Sequence, residues 1–149
     1  MTDTARALLS AAVLSGSATG FFAWRLSRIA ADEPERLVGE LRLAQWAALL
    51  LAVSGAISIG LAIGAPATTT GNIDVTLGVA FVILSGIVLR REPRDALLLA
   101  AAGFLVHALT DIAHRPGWLS PDLAPRWYAV GSAVFDVYLA GVCYWARRR

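Results

Sequence analysis

Five apolar runs, separated by short charged or proline-containing segments, occupy most of this sequence. They cover residues 7–24, 43–65, 75–89, 96–114 and 127–145. A transmembrane helix needs about 20 predominantly apolar residues, so each run has roughly the length of one crossing. Because backbone polar groups inside a bilayer must be satisfied within the segment, such runs are helical. The sequence therefore predicts an all-α, polytopic integral membrane bundle of five transmembrane helices.

The composition supports the same class. Of the 149 residues, 57% are hydrophobic and only 16% are charged, with a mean hydropathy of +0.62. An ordinary soluble domain carries more charge. Five crossings with short connections use the whole length, so we expect a single membrane domain over residues 1–149. We expect a multi-pass protein of the cell membrane, of the bacterial inner-membrane type.

The first run could be mistaken for a cleaved signal peptide. Two positive charges, Arg25 and Arg28, follow the run, and no small-residue cleavage site is evident. We therefore expect a retained first span.

Two GxxxG spacings lie inside the apolar runs, at Gly16 and Gly20 and at Gly60 and Gly64. Small residues at this spacing let two helix backbones approach closely. They suggest packing against partner helices, including a homo-oligomer. The alternative is that small residues are simply common in membrane spans.

The connections carry the charges. Residues 25–42 mix arginines with acids around Pro34 and predict a solvated loop. Asn72 and Asp74 precede the third run, where a side-chain oxygen can cap free backbone N–H groups. Capping is the simplest role for Asp74.

The arginines indicate an orientation, because cytoplasmic loops are enriched in positive charge. With the N-terminus outside and the C-terminus cytoplasmic, ten of the thirteen arginines fall inside. The outer three are Arg6, Arg115 and Arg126. The same layout puts all five tryptophans near an interface, where indole rings are favoured: Trp24, Trp46 and Trp145 on the inner side, Trp118 and Trp127 on the outer side.

Several function classes are excluded. The arginines are dispersed among the connections and do not form one basic face, so nucleic acid is not an expected partner. A lone cysteine, Cys143, forms neither an internal disulfide nor a Cys-pair metal site. Two histidines are too few for a multi-histidine di-iron centre. Because both lie on one face of one helix, they cannot hold a haem between them.

The candidate site lies in the last two runs. His107, Asp111 and His114 are spaced i, i+4 and i+7, which places them on one helix face. Asp136 lies in the middle of the fifth run, on a face with Ser132 and other small residues. A charged group at that depth costs about 2.5–3.5 kcal/mol, so it needs a partner. We expect His107 and Asp136 to face each other.

Two kinds of chemistry fit these residues. As catalytic groups, His107, Asp136 and Asp111 could transfer protons, because imidazole titrates near neutral pH. As metal ligands, His107, Asp111 and His114 offer the donor types that zinc or iron uses, which makes a divalent metal the cofactor to test for. Asp74 and Ser132 are further candidates.

Structural roles compete with both. Asp111 could pair with Arg115 four residues on, His114 could be a surface residue at a helix end, and Tyr128 could be an interface anchor. A hydrogen bond between His107 and Asp136 could serve only to fix helix register.

Two functional hypotheses follow. The first is a membrane protein with an outward-facing polar pocket between the last two helices, which performs acid/base or metal-assisted chemistry on a lipophilic molecule or binds one. The second is a non-enzymatic transporter or accessory subunit that packs through its small-residue faces. The bilayer is the expected surroundings in both.

Overall fold

The computed structural model describes residues 3–64, 69–114 and 125–149. Over these ranges the chain forms α-helices and no β-strand. The helices are α1 (Asp3–Leu26), α2 (Pro34–Gly64), α3 (Thr69–Val88), α4 (Pro93–Ala113) and α5 (Arg126–Arg148). The predicted all-α fold is confirmed, and each apolar run corresponds to one of these helices.

Four of the described helices have the length and the apolar character of a membrane span. In the part of the chain that the structure describes, α1, α2, α4 and α5 are each long and apolar enough to cross a membrane. The apolar part of α3, Asn72–Val88, is shorter.

Helix α2 begins well before the predicted second span. Proline suits the first turn of a helix, where its missing N–H is not needed, and α2 starts at Pro34, nine residues ahead of Leu43. The prediction of a solvated loop over residues 25–42 is therefore wrong for its second half. At 1.5 Å per residue the 31-residue helix is about 46 Å long, longer than the roughly 30 Å hydrocarbon core.

Helix α3 also begins earlier than predicted. Because it starts at Thr69, Asp74 lies more than one turn inside the helix and is buried, with 2% of its surface exposed. The expected capping role of Asp74 is therefore wrong, and its carboxyl group points to a partner elsewhere.

The core is built around α2, which contacts α1, α3, α4 and α5. Large apolar side chains with no exposed surface fill its centre, among them Leu43, Leu51, Leu97, Phe104 and Leu139. Alanines fill much of the remainder, which lets the helices approach closely. Chain neighbours α2 and α3, and likewise α4 and α5, pack along each other as antiparallel pairs.

The two GxxxG spacings lie in different surroundings. A side chain at Gly16 or Gly20 would meet Tyr138 of α5, whose hydroxyl donates a hydrogen bond to the Gly16 carbonyl oxygen at 3.0 Å. A methyl group added at Gly60 or Gly64 would meet no atom within 4 Å. The first spacing therefore packs α1 on α5 within the chain, and the second remains open.

Large apolar side chains also cover the outside of the bundle. Leu14, Ile63 and Val134 are 71%, 73% and 65% exposed, and similar residues occur on every helix. Such a surface is unfavourable in water and matches a lipid environment.

Candidate functional site

The site lies where the middle of α5 meets the second half of α4. His107 and Asp111 are one turn apart on α4 and both face the bundle interior. Asp136 is the eleventh residue of the 23 in α5 and has no exposed surface. Small residues beside it, Ala133 and Ala140, allow α4 to come close enough for direct contact between the side chains.

His107 and Asp136 form the central contact. His107 Nδ1 lies 2.7 Å from Asp136 Oδ2, and the two residues are 1% and 0% exposed. The predicted approach of these side chains is confirmed. A hydrogen bond this short and this buried is strong, because no water competes for either group.

The far side of the His107 ring faces α2 and α3. His107 Nε2 lies 3.3 Å from Ser58 Oγ, and the hydroxyl of Ser58 donates to the Ser54 carbonyl oxygen at 3.1 Å. The edge of the Phe81 ring packs against the imidazole, with 4.7 Å between the ring centroids. The sequence prediction missed Ser58 and Phe81; the one available signal was the pair of serines spaced four residues apart in an apolar run.

These contacts limit where the protons can lie. The Ser58 hydroxyl has one hydrogen and two acceptors within reach, the Ser54 carbonyl oxygen at 3.1 Å and His107 Nε2 at 3.3 Å. When the hydrogen goes to Ser54, the nearer acceptor, Ser58 Oγ accepts from His107 and Nε2 carries a proton. One further proton then lies on the 2.7 Å contact between Nδ1 and Oδ2. With Nε2 protonated, this proton belongs either to an imidazolium facing a carboxylate or to a carboxylic acid facing a neutral imidazole; with Nε2 unprotonated, it belongs to a neutral imidazole facing a carboxylate.

A second carboxyl group flanks the first. Asp111 Oδ2 lies 3.6 Å from His107 Nδ1. Asp111 Oδ2 and Asp136 Oδ1 are buried and have no hydrogen-bond donor among the described residues. Ser132 lies close to both carboxyl groups, and Tyr128 lies close to Ser132. Tyr128, expected to be an interface anchor, is thus near the site, and the group has more acceptor oxygens than donors.

The remaining two candidates form their own pair near the end of α4. His114 Nδ1 lies 2.7 Å from the Thr110 carbonyl oxygen, and His114 Nε2 lies 3.1 Å from Asp74 Oδ1. A carbonyl oxygen only accepts, so Nδ1 carries a proton and one more proton lies between Nε2 and Asp74. His114 is only partly exposed and is bonded to another helix, which is not the surface role predicted. Arg115, the suggested partner of Asp111, lies outside the described residues.

Three of these residues have the arrangement of metal ligands. His107, Asp111 and Asp136 each offer one ligand atom, and these atoms lie within 4.8 Å of one another. The sequence prediction had combined His107 and Asp111 with His114, which instead contacts Asp74. Donor-free carboxylate oxygens and one imidazole fit a divalent zinc or iron ion in type and number.

A second buried polar cluster was not predicted. At the start of α2, Arg36 Nε lies 2.9 Å from Glu40 Oε1, and Arg94 Nε lies 3.4 Å from Glu40 Oε2. Arg36 also donates to the carbonyl oxygens of Leu26 at 3.0 Å and Ala146 at 3.3 Å, near the ends of α1 and α5. This cluster ties four helices together at the end of the bundle opposite His114.

No family model matches this chain, and no curated protein and no solved structure is significantly similar to it.

Proposed function

We propose that this chain is a five-span integral membrane protein that exchanges protons within the bilayer at the His107–Asp136 couple, as the proton-handling element of a proton-coupled transport process. The observation that carries this proposal is the 2.7 Å contact between two fully buried ionisable groups on consecutive helices. Intramembrane ionisable residues that pair with each other are characteristic of proton pathways.

The membrane embedding is supported by three features. Four helices have the length and apolar character of spans, and large apolar side chains cover the outside of the bundle. Ten of the thirteen arginines fall on one side when α3 is taken as the fifth crossing. We propose the N-terminus outside and the C-terminus cytoplasmic, which follows the positive-inside rule.

The proton-exchange step is supported by the donor and acceptor count. One proton is held between His107 Nδ1 and Asp136 Oδ2, and Asp111 Oδ2 is a second acceptor 3.6 Å from the same nitrogen. With Nε2 protonated, a proton that moves from Nδ1 to Asp136 leaves a neutral imidazole and turns the carboxylate into a carboxylic acid. The net charge of the buried group does not change, so the transfer avoids the penalty of creating a new charge in hydrocarbon.

A route toward the end of the bundle is supported by the second pair. His114 is seven residues after His107 on the same face of α4, about 10 Å along the axis, and it holds one proton with Asp74. Asp111 lies between the two histidines along the helix. The ionisable groups thus form a line from the middle of α5 to the end of α4.

Burial favours a proton over a lipophilic ligand. With His107 and Asp136 exposed by 1% and 0%, a lipid headgroup has no access to them in this conformation. A proton needs only hydrogen-bonded neighbours.

A divalent metal is the second candidate, favoured by the compact group of His107, Asp111 and Asp136. Ligand atoms about 2.1 Å from a tetrahedral zinc lie about 3.4 Å apart. The 2.7 Å contact between His107 and Asp136 would have to lengthen to admit the ion. Proton exchange is therefore preferred over metal binding as the function of this site. A bound ion would act as a Lewis acid at this position.

Infrared difference spectroscopy of the reconstituted protein between alkaline and acidic pH tests the exchange directly. We expect a carboxylic-acid C=O band that Asp136→Asn removes and His107→Gln shifts. Tyr138→Phe, two residues along the same helix, is the matched control and should keep the band. A spectrum without a band sensitive to Asp136→Asn would reject proton exchange at this couple.

Elemental analysis of the same samples separates the second candidate. About one equivalent of zinc or iron, lost in both His107→Gln and Asp136→Asn, would support the metal site instead. Without a titrating band or a metal, the couple would be a structural hydrogen bond only.

The orientation is tested with single cysteines. In a Cys143→Ala background, a membrane-impermeant maleimide should label Thr4→Cys from outside intact cells and should label Arg91→Cys only after the membrane is opened. The reverse pattern would invert the proposed orientation.

A further inference from the structure

A cavity of about 400 Å³ lies at the end of the bundle opposite His114. It is bounded by the starts of α2 and α4 and the end of α5, and its volume falls within the usual range for ligand pockets. Its charged lining consists of three arginines and three carboxylates: Arg36, Arg94, Arg147, Glu40, Glu92 and Asp95.

Two of these groups already satisfy each other. Glu40 is 2% exposed and accepts from Arg36, whose other guanidinium nitrogens donate to backbone carbonyl oxygens. Arg36 therefore has little capacity left for a ligand. It forms the floor of the cavity.

The other arginines retain donors. Arg94 reaches Glu40 only through Nε at 3.4 Å, and its side chain is 56% exposed. Arg147 Nε is buried and has no hydrogen-bond partner among the described residues. A buried guanidinium nitrogen without an acceptor is costly, and an anionic oxygen in the cavity would satisfy it.

The carboxylates of Glu92 and Asp95 restrict which anionic ligands the cavity can bind. Glu92 and Asp95 lie at the start of α4 and line the same cavity. A purely anionic ligand would be repelled by them. A zwitterion that carries a phosphate and an ammonium group would place its phosphate against Arg94 and Arg147 and its ammonium against Glu92 and Asp95.

The position of the cavity matches the headgroup level of a bilayer. Its residues on α2 and α4 lie just before the apolar runs that begin at Leu43 and Ala96, and Arg147 lies just after the run that ends at Trp145. Phospholipid headgroups lie at this level, and basic pockets between helices bind them on the cytoplasmic side. The placement rests on the membrane embedding proposed above.

We propose that this cavity binds the headgroup of phosphatidylethanolamine. Ethanolamine has N–H donors for the two carboxylates, whereas choline has none and glycerol has no positive charge. The site therefore distinguishes phosphatidylethanolamine from phosphatidylcholine and phosphatidylglycerol with the same acyl chains.

Native mass spectrometry of delipidated protein, titrated with each of these three lipids, tests the proposal. Wild type should bind phosphatidylethanolamine about tenfold more tightly than the other two, because a hydrogen bond to a charged group is worth about a decade in affinity. Arg147→Gln should weaken phosphatidylethanolamine and phosphatidylcholine alike by about tenfold. Asp95→Asn should weaken phosphatidylethanolamine alone, so that its advantage over phosphatidylcholine falls.

Arg148→Gln is the matched control, because the Arg148 guanidinium lies over the Tyr144 ring and does not line the cavity. It should bind all three lipids as wild type does. Melting temperatures of the variants in detergent, compared with that of Arg148→Gln, identify any variant that fails to fold. Equal binding of phosphatidylethanolamine and phosphatidylcholine by folded wild type would overturn the proposal. Tighter binding of phosphatidylglycerol would replace it with a simple anion site.

Resistance of the protein to alkaline extraction from membranes is measured in parallel. A protein that resists extraction but shows no lipid preference counts against the headgroup site alone. A protein that is extracted counts against the membrane embedding itself.

Discussion

Gly55 of α2 and Gly78 of α3 meet backbone to backbone. A methyl group on Gly55 would lie 2.7 Å from the Gly78 carbonyl oxygen, and one on Gly78 would lie 2.8 Å from the Gly55 carbonyl oxygen. Real methyl groups do not come this close to backbone, so the absence of a side chain at both positions permits the contact between the two helices.

Gly55→Ala should therefore destabilise the bundle. Alanine normally favours a helix over glycine by about 0.5–1 kcal/mol, but overpacking a close contact costs about 1–3 kcal/mol, and backbone cannot move aside as a flexible side chain can. We expect a lower melting temperature in detergent. Gly60→Ala on the same helix, which meets no atom within 4 Å, should leave stability equal or slightly raised. Equal effects of the two variants would contradict the close contact.

The His107–Asp136 couple should show strong energetic coupling. Removing one partner leaves the other buried without a counterpart, which costs about 3–5 kcal/mol, whereas removing both with apolar groups of similar size is far less harmful. We expect His107→Leu and Asp136→Leu each to lower the unfolding free energy sharply, and the double variant to recover part of the loss. A double-mutant cycle from denaturant unfolding in mixed micelles measures the coupling. Additive losses would argue against the contact.

Arg36 should not tolerate lysine. Its guanidinium bonds Glu40 and the ends of two helices at once, and a lysine ammonium cannot reproduce that planar set of donors. We expect Arg36→Lys to lose about 3 kcal/mol of stability, because Glu40 stays buried with a poorer partner. Arg42→Lys, an exposed position on the same helix, should be close to neutral. Thermal unfolding followed by tryptophan fluorescence compares the two, and similar melting temperatures would refute the role of Arg36.

Cys143 should be unreactive in the folded protein. The residue has no exposed surface and packs in the core between α5 and its neighbours. A small membrane-permeant maleimide should label it only when the bundle is unfolded, whereas Arg148→Cys near the end of α5 should be labelled at once. Mass spectrometry of the time course reads both rates, and rapid labelling of native Cys143 would show that this part of the core opens readily.

The sequence predicted the helical class and the central pairing for physical reasons. Apolar runs of spanning length leave the backbone few alternatives to a helix. The spacing of His107 and Asp111 sets their shared face without reference to any other helix. Asp136, as a charge in the middle of an apolar run, had to find a partner, and His107 is the nearest histidine at a comparable depth.

The missed features depend on partners distant in sequence. Arg36 and Glu40 look like solvated charges in a mixed-charge segment, although their spacing of four residues is itself a helix signal. They are buried because distant parts of the chain cover them: Arg94, 54 residues after Glu40, and the ends of α1 and α5. The local sequence contains no sign of these neighbours. Asp74 resembles a helix cap until His114, 40 residues later, is brought against it.

The glycine patterns illustrate the same limit. The GxxxG spacing at Gly60 and Gly64 is open in the structure, while the close contact between α2 and α3 uses Gly55 and Gly78, which belong to no such motif. A small-residue motif shows where one helix could approach another closely. Whether the contact forms also depends on the side chains of the helix that faces it.

The Arg36–Glu40–Arg94 cluster gives the bundle two unlike ends. At one end, the Arg36 guanidinium joins the start of α2 to the ends of α1 and α5, and Glu40 bonds Arg94 of α4. At the opposite end, the His114–Asp74 bond joins only α3 and α4. Backbone amides near Glu40 should therefore exchange with deuterium more slowly than those near Asp74, at the other end of the bundle. Water that reaches the middle of this protein should therefore enter at the end where His114 bonds Asp74, because the end held by Arg36 and Glu40 opens less readily.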